Sequence, residues 1–224
     1  MTIDFLLKYG SRLIILFLCQ PVHEWAHAWS AYKLGDDTAA REGRLTLNPI
    51  AHMDPVGTLG ILFCGFGWGK PVPVNPARFD RKHTIRGGMA LTAAAGPLSN
   101  VAMALITTII YKFLKGAYYT NMNDAINWLM VIAYYIIFLN IALAVFNLIP
   151  VGPLDGQKIL SYFLPERIGA KIDRYQFQLT IILLVFLTFT DILDGPMYWL
   201  RLGVFWLCDK LTFWVDPIVN MVFK

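Results

Sequence analysis

Apolar residues in this chain run on for most of its length, broken at intervals by short polar segments. A membrane-crossing helix needs about 20 mostly apolar residues. Leu13–Leu34, Gly88–Leu114 and Ile126–Ile149 meet that length, and Tyr175–Ile192, rich in Leu, Ile, Val and Phe, supplies a fourth stretch. The tail from Met197 to Lys224 is interrupted by Arg201, Asp209, Lys210 and Asp216 and carries Trp199, Trp206 and Trp214. It reads as a fifth span or as a helix lying at the interface, where tryptophan concentrates. The expected fold class is therefore an all-α polytopic membrane protein with a three-helix core and one or two further transmembrane helices. Residues 1–224 form a single integral-membrane domain in this reading. The N-terminal apolar run leads straight into the first polar motif, so it reads as a span and not as a cleaved leader.

Composition supports that class. Of 224 residues 57% are hydrophobic and 15% charged, with a mean hydropathy of +0.53, against about 45–50% and about 25% in soluble domains. The net charge of +4 is spread over several loops, which gives no footprint for nucleic acid. Cys19, Cys64 and Cys208 have no metal or redox spacing and read as packing residues.

Loop charge suggests an orientation. Lys33, Arg41, Arg44, Lys70, Arg78, Arg81, Lys82 and Arg86 cluster after the first span, and Lys158, Arg167, Lys171 and Arg174 after the third. Only Lys112 and Lys115 flank the connection between the second and third spans. The positive-inside rule puts the first and third connections in the cytoplasm. Lys8 and Arg12, before the first span, count the other way.

Inside the first span lies HEWAH, residues 23–27. On a helix His23 and His27 are one turn apart and share a face. Two imidazoles so placed can take two corners of a tetrahedral zinc site, and Glu24 between them can activate a water. His27 sits seven residues before Leu34, roughly 10 Å along the helix. Ionisable groups at that depth are costly and mark a functional site by default.

A third ligand must come from elsewhere. His52, Asp54 and Asp37 are available in the first cytoplasmic loop. Asp155, in NLIPVGPLDG at 147–156, is the stronger candidate, because the third span leaves the membrane on the same side as the first. Pro150, Gly152 and Pro153 interrupt the helix there. The competing role for Asp155 is to cap a helix beginning at Gln157.

Gly88, Thr92, Gly96 and Asn100 recur every four residues, a small-residue stripe that allows close helix contact in lipid. Pro97 is a point where this helix could kink. Asn100 suits a hydrogen bond between helices better than a catalytic role. Asn140 and Asn147 lie on one face of the third span, and Asn147 could steady a substrate carbonyl or the developing oxyanion. Residues 60–76, GILFCGFGWGKPVPVNP, are too short and Gly-rich to cross. They read as a short extended re-entrant or interfacial loop between the first two core spans. Its PVPV could accept a substrate segment as an added strand, or the loop could simply shield the site.

HEWAH at 23–27, AGPLSN at 95–100 and NLIPVGPLDG at 147–156, in that order on three successive spans, resemble the site-2 protease family of intramembrane zinc metalloproteases. GWGKPVPVNP at 67–76 is similar to that family's loop between its first two core spans. The likeness covers about the first 160 residues, in a compact form without PDZ or CBS modules. It implies one Zn²⁺ per chain held by His23, His27 and Asp155, with Glu24 as the catalytic carboxylate.

The expected function is regulated intramembrane proteolysis: cleavage of a transmembrane protein or peptide within or near the bilayer. The expected setting is the cell membrane of a prokaryote, with the active site towards the cytoplasmic side. Two other readings are a metal transporter and an inactive relative that retains membrane partners. Polar residues gathered near one face count against the first, and the intact Glu24 against the second.

Overall fold

The computed structural model describes residues 3–189 and 194–223. Its helices in chain order are α1 (Ile3–Ile14), α2 (Gln20–Lys33), α3 (Thr38–Arg41), α4 (Pro49–His52), α5 (Pro55–Cys64) and α6 (Ile85–Asn121). They are followed by α7 (Asp124–Asn147), α8 (Asp155–Phe163), α9 (Glu166–Arg174), α10 (Gln176–Phe189), α11 (Asp194–Leu211) and α12 (Val215–Val222). No strand is present among the described residues, only an isolated antiparallel bridge between Met53 and Gly69. Among the described residues, three helical stretches are long and apolar enough to cross a membrane: Asp4–Lys33, Ile85–Asn121 and Asp124–Asn147. This is an all-helical membrane protein.

The first span departs from expectation at its start. The helix begins ten residues before Leu13, and α1 joins α2 through one turn of π-helix, Ile15–Cys19. Lys8, Ser11 and Arg12 conceal that start in the sequence. Arg12 is nonetheless buried. Its guanidinium donates to the carbonyls of Leu62 and Phe63 at the C-terminal end of α5 and lies over the Tyr9 ring. A cation at that end of a helix is well placed against its dipole.

Residues 60–64 are also not extended as expected; they complete α5, which stops at Gly65 in the left-handed region (φ +81°). Residues 66–69 then fold back flat upon α5. The fit depends on bare glycines, since a Cβ on Gly57 or Gly67 would collide with the opposite backbone.

α6 is the axis of the bundle, packing against α7, α2, α8, α11 and α12. It is 37 residues long and remains helical through the buried Pro97. Ala104, Ile137, Ile141, Val145 and Cys208 form the apolar core where α6, α7 and α11 meet. The tail is docked, not peripheral: Lys112 of α6 pairs with Asp209 at 3.1 Å and with Asp216 at 3.0 Å. The predicted fourth span begins as expected in α10, and its last residues, 190–192, lie outside the described residues.

Candidate metal centre

Two elements converge on one buried point. α2 contributes His23 and His27, and the first turn of α8 contributes Asp155; all three are buried. The Nε2 atoms of the two histidines are 3.0 Å apart, and each lies 3.2 Å from Oδ2 of Asp155. Zinc bonds of roughly 2.0–2.1 Å in tetrahedral geometry would space the ligand atoms about 3.3 Å apart. The triangle is nearly that size without an ion to impose it.

The outer partners orient the rings. Nδ1 of His23 donates to Oδ1 of Asn100 at 2.6 Å, and Nδ1 of His27 donates to the backbone carbonyl of Thr92 at 2.7 Å. With Nδ1 carrying the proton, each neutral ring turns a bare Nε2 lone pair inward. Asp155 Oδ2 is itself buried without a hydrogen-bond donor. Two imidazole nitrogens and a carboxylate oxygen facing one another in a buried site are a donor set that could hold a cation.

α6 supplies the floor. A Cβ on Gly96 would overlap the imidazole of His27 and lie 2.6 Å from Cε1 of His23. The small-residue stripe thus does more than let helices approach, because Gly96 and Thr92 form the wall against which the rings are set.

Asn100 bridges helices as the sequence suggests. Fully buried, it receives His23 on Oδ1, and its amide NH₂ donates to the Cys19 carbonyl at 3.3 Å and to Oδ1 of Asn140 at 2.8 Å. Asn140, also fully buried, donates to the Ile136 carbonyl at 2.9 Å and to the Cys19 sulfur at 3.3 Å. Cys19 therefore belongs to this hydrogen-bonded layer and not to the metal triangle. Removing the acceptor of His23 frees its ring to turn. We expect Asn100→Ala to weaken zinc binding about 10–100-fold, the usual cost of losing such a partner. Zinc titration against a competing chelator measures it, and unchanged affinity would show that Asn100 does not orient the ring.

The other candidates take different places. Asp155 does not cap a helix at Gln157; it is itself the first residue of α8, and no side chain caps that helix. Its carboxylate is left free to face the histidines. Gly156 beside it has no room for a Cβ against the Leu148 and Ile149 carbonyls, which presses this turn onto the end of α7.

His52 is buried elsewhere, with Nε2 donating to the Thr46 carbonyl at 2.7 Å and Nδ1 facing Arg44 at 3.4 Å. Asp54 caps α5 through the Gly57 amide at 2.8 Å. Asp37 pairs with Arg41 and Arg78 on the surface, and their hydrogen bonds, Arg41 first, hold its carboxyl below the usual range. Asn147 is half-buried and donates to the Leu143 carbonyl of its own helix at 2.9 Å. Glu24 is half-buried and makes no hydrogen bond or ion pair with any described residue. It is free to meet water or substrate beside the triangle. The Thr92 carbonyl has no side-chain signature and could not be found from the sequence, whereas Asn100 could.

The segment 69–75 runs alongside α2. At one end Gly69 abuts Gln20, and at the other the Asn75 amide donates to Asp36 at 2.6 Å. Gln20 opens α2 and Asp36 lies just past its C-terminal end, a helix of roughly 20 Å, and six extended residues also cover about 20 Å, so the segment passes the histidine-bearing turn. Arg44 holds one edge of it through the carbonyls of Lys70, at 2.6 Å, and Pro71, at 3.2 Å. The amides and carbonyls of Val72 and Val74 make no hydrogen bond with described residues.

Comparison with known proteins gives a consistent result. Residues 77–190, which include Gly96, Asn100 and Asp155, match the family model described as peptidase family M50. YwhC of Bacillus subtilis, whose name assigns it to the zinc metalloproteases, is 42% identical over 184 residues, spanning 77% of this chain and 79% of its own. Rip2 of Mycobacterium tuberculosis, named in the same class, is 31% identical over 191 residues, or 83% of this chain and 70% of its own. No solved structure matches the chain.

Proposed function

The chain belongs to peptidase family M50 and is a zinc metalloprotease, and from that premise we propose that it cuts transmembrane proteins within or next to the bilayer. The observation that carries this reading is the buried triangle of His23, His27 and Asp155, two of whose members stand on a helix long and apolar enough to cross a membrane. His23, His27 and Asp155 would hold one zinc ion. When bound, zinc supplies a Lewis acid that lowers the pKa of a water and polarises a carbonyl. Glu24 takes the proton of the attacking water as general base and later hands it to the leaving amine. Asn100 and the Thr92 carbonyl hold the imidazoles in the tautomer this requires. Asn147 would steady a substrate carbonyl or the developing oxyanion through its amide, one hydrogen of which is already donated to the Leu143 carbonyl.

A helical peptide bond is shielded by its own hydrogen bonds, so the substrate must be extended before it is cut. The free edge of Val72 and Val74 suits that need. In an extended chain alternate residues point their N–H and C=O to one side, and the prolines between them leave the other side without donors. A substrate strand added there would receive main-chain hydrogen bonds beside the histidine turn. We expect Val72→Pro, which deletes one of the two donors, to reduce cleavage at least about tenfold while zinc content stays normal. Unaltered kcat/KM would exclude strand addition at this edge.

The proposed orientation places this site nearer the cytoplasm of a prokaryotic cell membrane. Burial of Arg12 against α5 supports it, because that charge is engaged inside the fold and is not a free loop charge. The test uses a single-span protein captured by the Glu24→Gln chain and reconstituted with the wild type in liposomes. Cleavage should stop on zinc chelation and resume on zinc addition, and fragment masses should place the cut in the cytoplasmic half of the substrate span. A cut that ignores chelation would overturn the mechanism, and a cut in the opposite half would overturn the orientation.

A further inference from the structure

A second concavity lies on the side of α6 turned away from the histidines. It encloses about 470 Å³ between α6 and α8. Gly87, Ala90, Leu91 and Ala94 of α6 form one wall, and Ile159 and Tyr162 of α8 another. The small side chains at 87, 90 and 94 hollow the helix surface, while Leu91 and Tyr162 are about half exposed at its rim. The metal triangle is not part of it; the His-facing positions of α6 are Thr92 and Gly96.

The mouth differs in character from the interior. Lys82 and His83 border it, just before α6 begins at Ile85, and Arg81 precedes them. The lining contains no acidic residue. Lys82 and Arg81 form no ion pair or hydrogen bond with any described residue. Arg86, by contrast, is already engaged, donating to the Ser161 and Leu164 carbonyls at the end of α8. That contact ties the two walls together.

An apolar groove along a membrane span, capped at the membrane edge by unpaired cations, matches one chemistry: an acyl chain joined to an anionic headgroup. We propose that this groove is a binding site for an anionic phospholipid. The acyl chain lies along Gly87, Ala90 and Ala94, and the phosphate sits at Lys82 and His83. Charge complementarity decides the occupant. A zwitterionic lipid brings a phosphate but also a quaternary ammonium that Lys82 and Arg81 repel, and an apolar substrate helix brings no anion, whereas an anionic headgroup offers the basic groups a net negative charge.

The probe is phosphatidylglycerol bearing a mid-chain diazirine, compared with the phosphatidylcholine equivalent, on wild type in mixed nanodiscs. Labelling is mapped by peptide mass spectrometry, and native mass spectrometry counts retained lipid. Wild type should retain one phosphatidylglycerol with at least tenfold preference, labelled within 87–94 and 159–163. Lys82→Glu with His83→Gln should abolish the preference, and Ala90→Phe should abolish the label. Zinc content should be unchanged in each variant, so failure here is distinguishable from failure of the protease reading. Lys115→Glu, at the far end of α6, should alter neither result. Equal retention of the two lipids, labelling elsewhere, or displacement of the label by a transmembrane substrate peptide would overturn the proposal.

Discussion

Replacing Glu24 with Gln is expected to lower kcat by at least about 100-fold while zinc content stays near one per chain. General-base catalysis contributes typically 10²–10⁴-fold, and Gln keeps the size of the side chain while losing the ability to take a proton. The structure separates this residue from the ligands in two respects. Glu24 stands half-buried with no hydrogen-bond partner, whereas His23, His27 and Asp155 are buried and face one another. Its substitution therefore leaves the triangle intact. Zinc measured by mass spectrometry on the purified variant, together with cleavage of a reconstituted substrate, decides the matter. Turnover above about one per cent of wild type would remove Glu24 from the base role, and a parallel loss of zinc would make it a ligand.

Much of this centre could be read from the sequence because its chemistry is periodic. His23 and His27 are four apart on a helix whose apolar neighbours declare it a span, so their shared face follows from helical geometry alone. Asp155 could be assigned only by a chain of steps, in which loop charge gave the side of the membrane and the Pro–Gly break gave the exit point. The structure brings it to the histidines without using either step. The limits of α7 and the start of α6 lie two or three residues from the predicted spans, whereas α6 runs on to Asn121, two turns past Leu114, because long apolar runs define their own middles better than their ends.

What could not be read falls into two physical kinds. The start of the first helix was hidden because Lys8 and Arg12 look like solvent-facing charges. Arg12 is in fact buried through contacts with α5, whose own helical character Gly57, Gly60 and Gly65 concealed. The second kind is backbone chemistry. The Thr92 carbonyl that turns His27, and the π turn at Ile15–Cys19 that precedes the motif, have no side-chain signal. The role of Asp155 shows the same limit from the other side: an acidic residue at a helix start looks like a cap, and only the packing of α8 on α6 shows that its carboxylate faces the imidazoles.

Asp155→Ala should remove the metal as well as the activity. Two histidines alone leave the ion without the anionic member of its set, and the loss should exceed the 10–100-fold seen when only an orienting partner is removed. Purified Asp155→Ala should contain little zinc and bind added zinc at least about 100-fold more weakly than wild type. Asp155→Glu should recover part of that affinity, since a carboxylate returns at a shifted position. Asp54→Ala provides the contrast. Asp54 was a possible ligand in the sequence, but it caps α5, so its loss should cost about 1 kcal/mol of stability and leave zinc untouched. His52 serves less well as a control, because it is buried with Arg44 and Thr46 and its removal would disturb the loop that carries Val72 and Val74. Full zinc in Asp155→Ala, with zinc lost in Asp54→Ala, would move the third ligand into the connection between α2 and α6. It would also show that the triangle at α2 and α8 is a hydrogen-bonded cluster and not a metal site.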